Sequence, residues 1–284
     1  LAQRHAIDVV HVNGFAHAAV RFGVPVLCVA HSCVVTWMRA VRGSEPGPDW
    51  AEYRSRVARG LAAAGELAAP TGAILRAILA AHGVDRRGRV IPNGRSAAGF
   101  PPAEKEPFVL AAGRLWDEAK GLAALEACAG SVRWPIRVAG PTAGPGAART
   151  AARRPAHVQA LGELEPEALA GWMGRASIFA APARYEPFGL TVLEAALAGC
   201  TLVLGNLETF REVWDDAAVY VPPGDPQALV FALEALIRDP LRRGALAASA
   251  RVRALALTPQ RMAAAYREVY DELAAAAPSR EVRA

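Results

Sequence analysis

Glu186 and Glu194 stand with seven residues between them in the run Ala183-Arg184-Tyr185-Glu186-Pro187-Phe188-Gly189-Leu190-Thr191-Val192-Leu193-Glu194-Ala195. Carboxylates accept hydrogen bonds from hydroxyls and place negative charge near a reacting centre. The apolar run Ala176–Ala181 precedes this segment and a helical pattern follows it. A helix start has free backbone N–H groups and a partial positive charge, which suit a phosphate. Gly189 removes the side chain where a ligand would approach the backbone, and Pro187 stiffens the turn. Helical side chains lean toward the N-terminus, so Glu194 in the helix and Glu186 in the loop are placed to face one ligand from its two ends. A bare Glu-x7-Glu is common by chance. The strand, the Glu-Pro-Phe-Gly-Leu turn and the helix around it give the spacing its meaning.

The elements that must carry these residues follow from the alternation of apolar runs and helical patterns. Ile7–Val12, Val24–Ala30 and Arg89–Ile91 read as strands, with helical patterns over Trp50 to Gly65 and Gly72 to Ala81. Residues 95–106 lack periodicity, carry adjacent prolines and read as an interdomain linker. The alternation then restarts with strands at Phe108–Ala112, Ile136–Ala139, His157–Leu161, Ala176–Ala181, Thr201–Leu204 and Ala218–Val221. Asp225-Pro226 and Thr258-Pro259 each offer a cap followed by proline at the first helical position. Strands alternating with helices form a parallel sheet covered on both faces, and two such runs predict two doubly wound α/β domains.

Composition narrows the partner. With 53% apolar and 21% charged residues, the 284-residue chain is not disordered. Four scattered cysteines form no disulfide framework and read as reduced and structural. No apolar run reaches the roughly 18–20 residues of a membrane span. The 32 basic residues exceed the 27 acidic ones by only five and are spread along the chain, which favours a small anion over nucleic acid. A dinucleotide oxidoreductase is disfavoured, because no Gly-x-Gly-x-x-Gly follows the first strand.

Glu186-Pro187-Phe188-Gly189-Leu190 with Glu194 resembles the Glu-x7-Glu signature of retaining glycosyltransferases of the GT-B fold, family 4. Ala112-Gly113-Arg114 with Lys120-Gly121, Val90-Ile91-Pro92-Asn93-Gly94, Asp8-Val9-Val10-His11, Val29-Ala30-His31, Phe210–Trp214 and Val221–Asp225 resemble further landmarks of that family, in the same order. The resemblance implies an α/β GT-B fold of two Rossmann-like domains. The N-terminal, acceptor-side domain would span 1–94 and the donor domain 107–258, with a helix over 259–284 crossing back. The family's N-terminal domain opens with strands and a Gly-rich loop, so this one is expected to be truncated.

By the same resemblance the activity is transfer of a sugar from a nucleotide-diphosphate donor to a hydroxyl acceptor with retention, by front-face attack and without a general-base dyad. Glu186 would hold a donor-sugar hydroxyl at the reacting centre. Arg114 and Lys120 would stabilise the charge growing on the leaving diphosphate. His31 would reach the sugar from the N-terminal domain. Glu194 would bind the ribose hydroxyls, with backbone N–H groups of Phe188, Gly189 and Leu190 on phosphate or sugar. Gly113 lies in the Gly-Arg segment, and Leu164 in a loop expected at the nucleobase. No metal or other cofactor is implied, and the sequence shows no metal-ligand spacing. The acceptor would be a saccharide, a lipid-linked or a small molecule. Nucleic acid is not expected, and the setting would be cytoplasmic, with peripheral membrane contact left open. His11, Cys33, Trp37 and Trp50 are lesser candidates near the cleft. A non-catalytic nucleotide-sugar-binding fragment, an inactive homologue and a GT-B epimerase or hydrolase are the competing readings; the last would use a different acid/base set.

Overall fold

The computed structural model describes residues 7–144 and 155–276. The chain divides into two compact units, one running to Asn93 and resuming at Gln260, the other spanning Gly94–Pro259.

The first unit contains β1 (Val10–Val12), α1 (Phe15–Ala18), β2 (Val26–Val29), α2 (Val34–Arg42), α3 (Ala51–Ala63), β3 (Glu66–Ala69), α4 (Gly72–Ala81) and β4 (Arg89–Val90). Its four strands pair in parallel in the order β1-β2-β3-β4. Strand β3 has no counterpart among the runs expected from the sequence. Its Glu-Leu-Ala-Ala has little intrinsic strand preference, and burial of Leu67, Ala68 and Ala69 between neighbouring strands overrides it. Helix α2 lies where the sequence patterns indicated no helix. The Cys33 side chain caps its start and Gly43, in a left-handed conformation at φ 64°, ends it.

The second unit contains β5 (Glu106–Ala112), α5 (Leu122–Ala129), β6 (Ile136–Ala139), β7 (Gln159–Gly162), α6 (Pro166–Arg175), β8 (Ala176–Ala181), α7 (Leu190–Leu197), β9 (Thr201–Gly205), α8 (Glu208–Trp214), β10 (Ala218–Val221), α9 (Pro226–Arg238) and α10 (Pro240–Ala256). All six strands are parallel, in the order β10-β9-β8-β5-β6-β7. The chain winds outward from β5 to β7, returns to β8 beside β5, and winds outward the other way. That reversal leaves a crevice at the carboxyl ends of β5 and β8, where open α/β sheets take ligands. Alternate strand residues feed two cores. Phe108, Leu110, Phe179 and Leu204 pack with Met173, Leu193, Ala250 and Ala254 on one face. Val109, Ile178, Ala180 and Val203 pack with Leu125, Leu229, Leu233 and Leu236 on the other. Burial on both faces explains why these strands are continuous apolar runs.

Residues 95–106 are not a free linker but part of the second unit. The Lys105 ammonium donates to the carbonyls of Gly174 and Ala198, each at 2.7 Å, and of Met173 at 3.4 Å, so it satisfies carbonyls at the ends of α6 and α7. The Ala103 N–H donates to Gly174 O at 3.2 Å, and β5 already begins at Glu106.

Helix α11 (Pro259–Ala276) belongs from Gln260 onward with the first unit. Its Val269 is buried with Leu27, Val29, Ala68 and Ile91, and Met262, Tyr266 and Leu273 pack around it. Tyr270 Oη lies 2.7 Å from His11 Nδ1, and Glu272 pairs with Arg89.

Candidate functional site

The loop after β5 is shaped by its glycines and one acid. Gly113 ends the strand at φ 150°, and its carbonyl is approached so closely by Gly140 that a Cβ there would lie 1.9 Å from it. Buried Asp117 accepts from Ala119 N at 3.0 Å and from the Arg114 guanidinium at 3.1 Å, closing the short turn that presents Lys120. Gly121, left-handed at φ 75°, then starts α5 and leaves room for the Pro182 carbonyl. Arg184 N donates to Ala119 O at 2.8 Å. The loops after β5 and β8 are thereby zipped together.

This zipping brings Lys120 and Glu186 into contact. Lys120 Nζ lies 2.5 Å from Glu186 Oε2, and both side chains are mostly buried. The other carboxylate oxygen of Glu186 accepts from Gly189 N at 3.0 Å and Phe188 N at 3.4 Å. Thr209 Oγ1 anchors the loop by donating to the Glu186 carbonyl at 2.6 Å. Two of the three backbone donors expected for a ligand are therefore held by Glu186 itself. Leu190 N, at the first position of α7, has no protein acceptor among the described residues. The left-handed Gly189, at φ 88°, fits under Phe210, whose ring carbon would lie 2.8 Å from a Cβ. A carboxylate held by an ammonium and two N–H groups shows that this corner accommodates a negative charge.

Glu194 is buried about one turn into α7, and its Oε1 accepts from Arg95 Nε at 2.7 Å. Burial pushes its carboxyl above the usual range, and Arg95 offsets only part of that rise. Arg95 escaped the sequence reading because it fell in the segment taken for a linker. The signal available was its place directly after Ile91-Pro92-Asn93-Gly94. Gly94 lets the backbone pass so near Thr258 that a Cβ would lie 2.3 Å from its carbonyl, and Arg95 N donates to Leu257 O at 3.0 Å.

The remaining candidates are not all gathered here. Arg114 is largely exposed, pairs with Asp117 and lies over the Trp116 ring, rather than on Glu186. Leu164 follows the edge strand β7, separated from β5 by β6. His31 belongs to the first unit, after β2. Its Nε2 lies 2.8 Å from Asn13 Oδ1, an acceptor, so Nε2 donates. Desolvation, and then the charge of His11, hold its imidazole below the ordinary histidine range. His11 itself bonds Tyr270 and so fastens α11. Cys33 is a buried helix cap. Trp37 lies under the Arg42 guanidinium, and Trp50 meets Tyr53 edge-on. Among the described residues no helix is long and apolar enough to cross a membrane.

A family model described as glycosyl transferases group 1 matches residues 106–239, and a glycosyltransferase family 4 model matches residues 1–97. Over 98 residues the chain is 40% identical to the phosphatidyl-myo-inositol mannosyltransferase of Mycobacterium leprae, a stretch covering 33% of this chain and 26% of that protein. The chain thus matches about a quarter of that relative's length. The sucrose-phosphate synthase of Thermosynechococcus elongatus superposes with a TM-score of 0.82 at 20% identity, over 97% of this chain and 76% of that one. Anabaena HepE, solved in complex with UDP-glucose, superposes with a TM-score of 0.74 at 17% identity, over 96% of this chain and 80% of that one. The two parallel Rossmann-like sheets match the GT-B fold of the solved glycosyltransferases, and the two successive glycosyltransferase models follow the same division of the chain.

Proposed function

We propose that the protein transfers a sugar from a nucleotide-diphosphate donor to a hydroxyl acceptor with retention at the anomeric carbon. The observation that carries this reading is the meeting of Lys120 and Glu186 at the β5–β8 switch point, beside the open start of α7. A diphosphate laid there takes over the bonds that Glu186 now occupies, to the Lys120 ammonium and the Phe188 and Gly189 N–H groups. Glu186 is then free to accept from a donor-sugar hydroxyl. Glu194 accepts from the ribose, and Leu164 lines the path to the nucleobase. Arg114, on an exposed side chain, adds a second cation by turning from Asp117.

As the bond from the anomeric carbon to the phosphate oxygen breaks, negative charge grows on the diphosphate. Lys120 stabilises that charge more than the ground state. The departing phosphate oxygen takes the proton of the acceptor hydroxyl, whose oxygen bonds the carbon on the same face. The solved HepE complex with UDP-glucose makes a UDP-sugar the first donor to try. The test is a screen of UDP-, GDP- and ADP-sugars with the full-length protein, reading release of the nucleoside diphosphate on adding saccharide or lipid-linked acceptors. Acceptor-dependent release, with an axial or equatorial product matching the donor, supports the proposal. An inverted product contradicts it.

A further inference from the structure

We propose that Arg95 is a positioning residue for the donor: it ties one oxygen of the Glu194 carboxylate and leaves the other turned to accept the ribose hydroxyls. The inference rests on the donor-site reading above and adds to it a residue outside the Glu-x7-Glu segment. Glu194 keeps only 10% of its side chain exposed, and a single bond, from Arg95 Nε at 2.7 Å to Oε1, holds it. Among the described residues Oε2 has no protein partner. A carboxylate with one oxygen fixed presents the other in one direction, so less orientation is lost when a diol binds.

Arg95 is itself held. Its N–H is bonded to Leu257 O, and Gly94 before it fits against Thr258 where no side chain would. Three further charges around α7 are engaged elsewhere. Arg251 on α10 donates to Leu197 O at 3.1 Å, Lys105 donates to Ala198 O, and Glu186 is tied to Lys120. Removing Arg95 therefore leaves a buried carboxylate with burial alone acting on it, which favours the protonated form. A protonated Glu194 loses acceptor capacity toward the diol.

The test uses isothermal titration of the full-length protein with UDP, GDP and ADP, and with the 2′,3′-dideoxy analogue of the tightest binder. Arg95→Met is expected to weaken the ribonucleotide by roughly tenfold or more at pH 7 and the dideoxy analogue hardly at all. Its binding should also fail at a higher pH on acidification than that of wild type. Arg95→Lys should restore part of the loss, and it is the variant to read if Arg95→Met does not fold. Equal weakening of both ligands, an unmoved acid limb, or tighter binding in the variant overturns the inference while leaving the donor site intact. If wild type binds none of the three nucleotides, the donor-site reading fails and this inference falls with it.

Discussion

At the carboxyl end of the β5–β10 sheet each of two acids is matched by a base, Glu186 by Lys120 and Glu194 by Arg95. At the carboxyl end of the β1–β4 sheet the polar contacts are between groups that need no charge, His31 with Asn13 and His11 with Tyr270. The two sheets share parallel strands and covering helices, yet among the described residues the ion pairs Lys120–Glu186 and Arg95–Glu194 stand at the carboxyl end of the second. Paired, half-buried charges suit exchange with a charged ligand, because an anion can replace the internal carboxylate without stranding the cation. Neutral hydrogen-bonded pairs suit orientation and docking, and His11 serves the docking of α11.

The largest effect expected from this contrast is on turnover. Lys120→Ala or Glu186→Ala in the full-length protein should lower kcat by about 10²-fold or more in a protein that still folds. Near-wild-type transfer in both variants would remove the functional difference between the sheet ends. Next comes Gly121→Ala, which adds a Cβ 2.3 Å from the Pro182 carbonyl at a left-handed position. It should cost about 2–4 kcal/mol in urea unfolding and weaken nucleotide binding together, since it unzips the loops that join Lys120 to Glu186. A smaller effect, about 1 kcal/mol, is expected for Tyr270→Phe, confined to the first unit and without loss of nucleotide affinity.

Acid should act on the two sheets differently. Desolvation lowers the affinity of His11, His31 and His82 for protons, and all three lie in the first unit. A base with a depressed folded pKa favours folding above its unfolded pKa, and that contribution is lost as pH falls below it. Glu194 has the opposite sign: raised by burial, it favours folding at low pH and loses that contribution as pH rises. Hydrogen exchange corrected for intrinsic rates should show β1–β4 losing protection between pH 7.5 and 5.5 before β5–β10 does. Uniform loss would contradict the contrast.

The sheet alternation and the Glu186 segment were legible because both are local. Period and spacing survive in one stretch of chain, and Gly189 and Pro187 announce the turn beside the acids. What stayed hidden depends on pairing across the sequence. Arg95 and Glu194 are 99 positions apart. Lys105 and Lys120 are the only lysines, and nothing in composition distinguishes the one that ties helix ends from the one that meets Glu186. The Ala-rich β3 was hidden for a related reason, since tertiary burial and not propensity makes it a strand. Arg114 was read beside Lys120 from its strand end, but its side chain turns to Asp117.

The central claim is that the β5–β8 switch point binds a nucleoside diphosphate through Lys120. Isothermal titration of the full-length protein with UDP, GDP and ADP, run beside Lys120→Ala, tests it most directly. Saturable binding of at least one of the three is expected, weakened by roughly tenfold or more in the variant. Binding of equal strength in both proteins, or of none of the three in wild type, would contradict it.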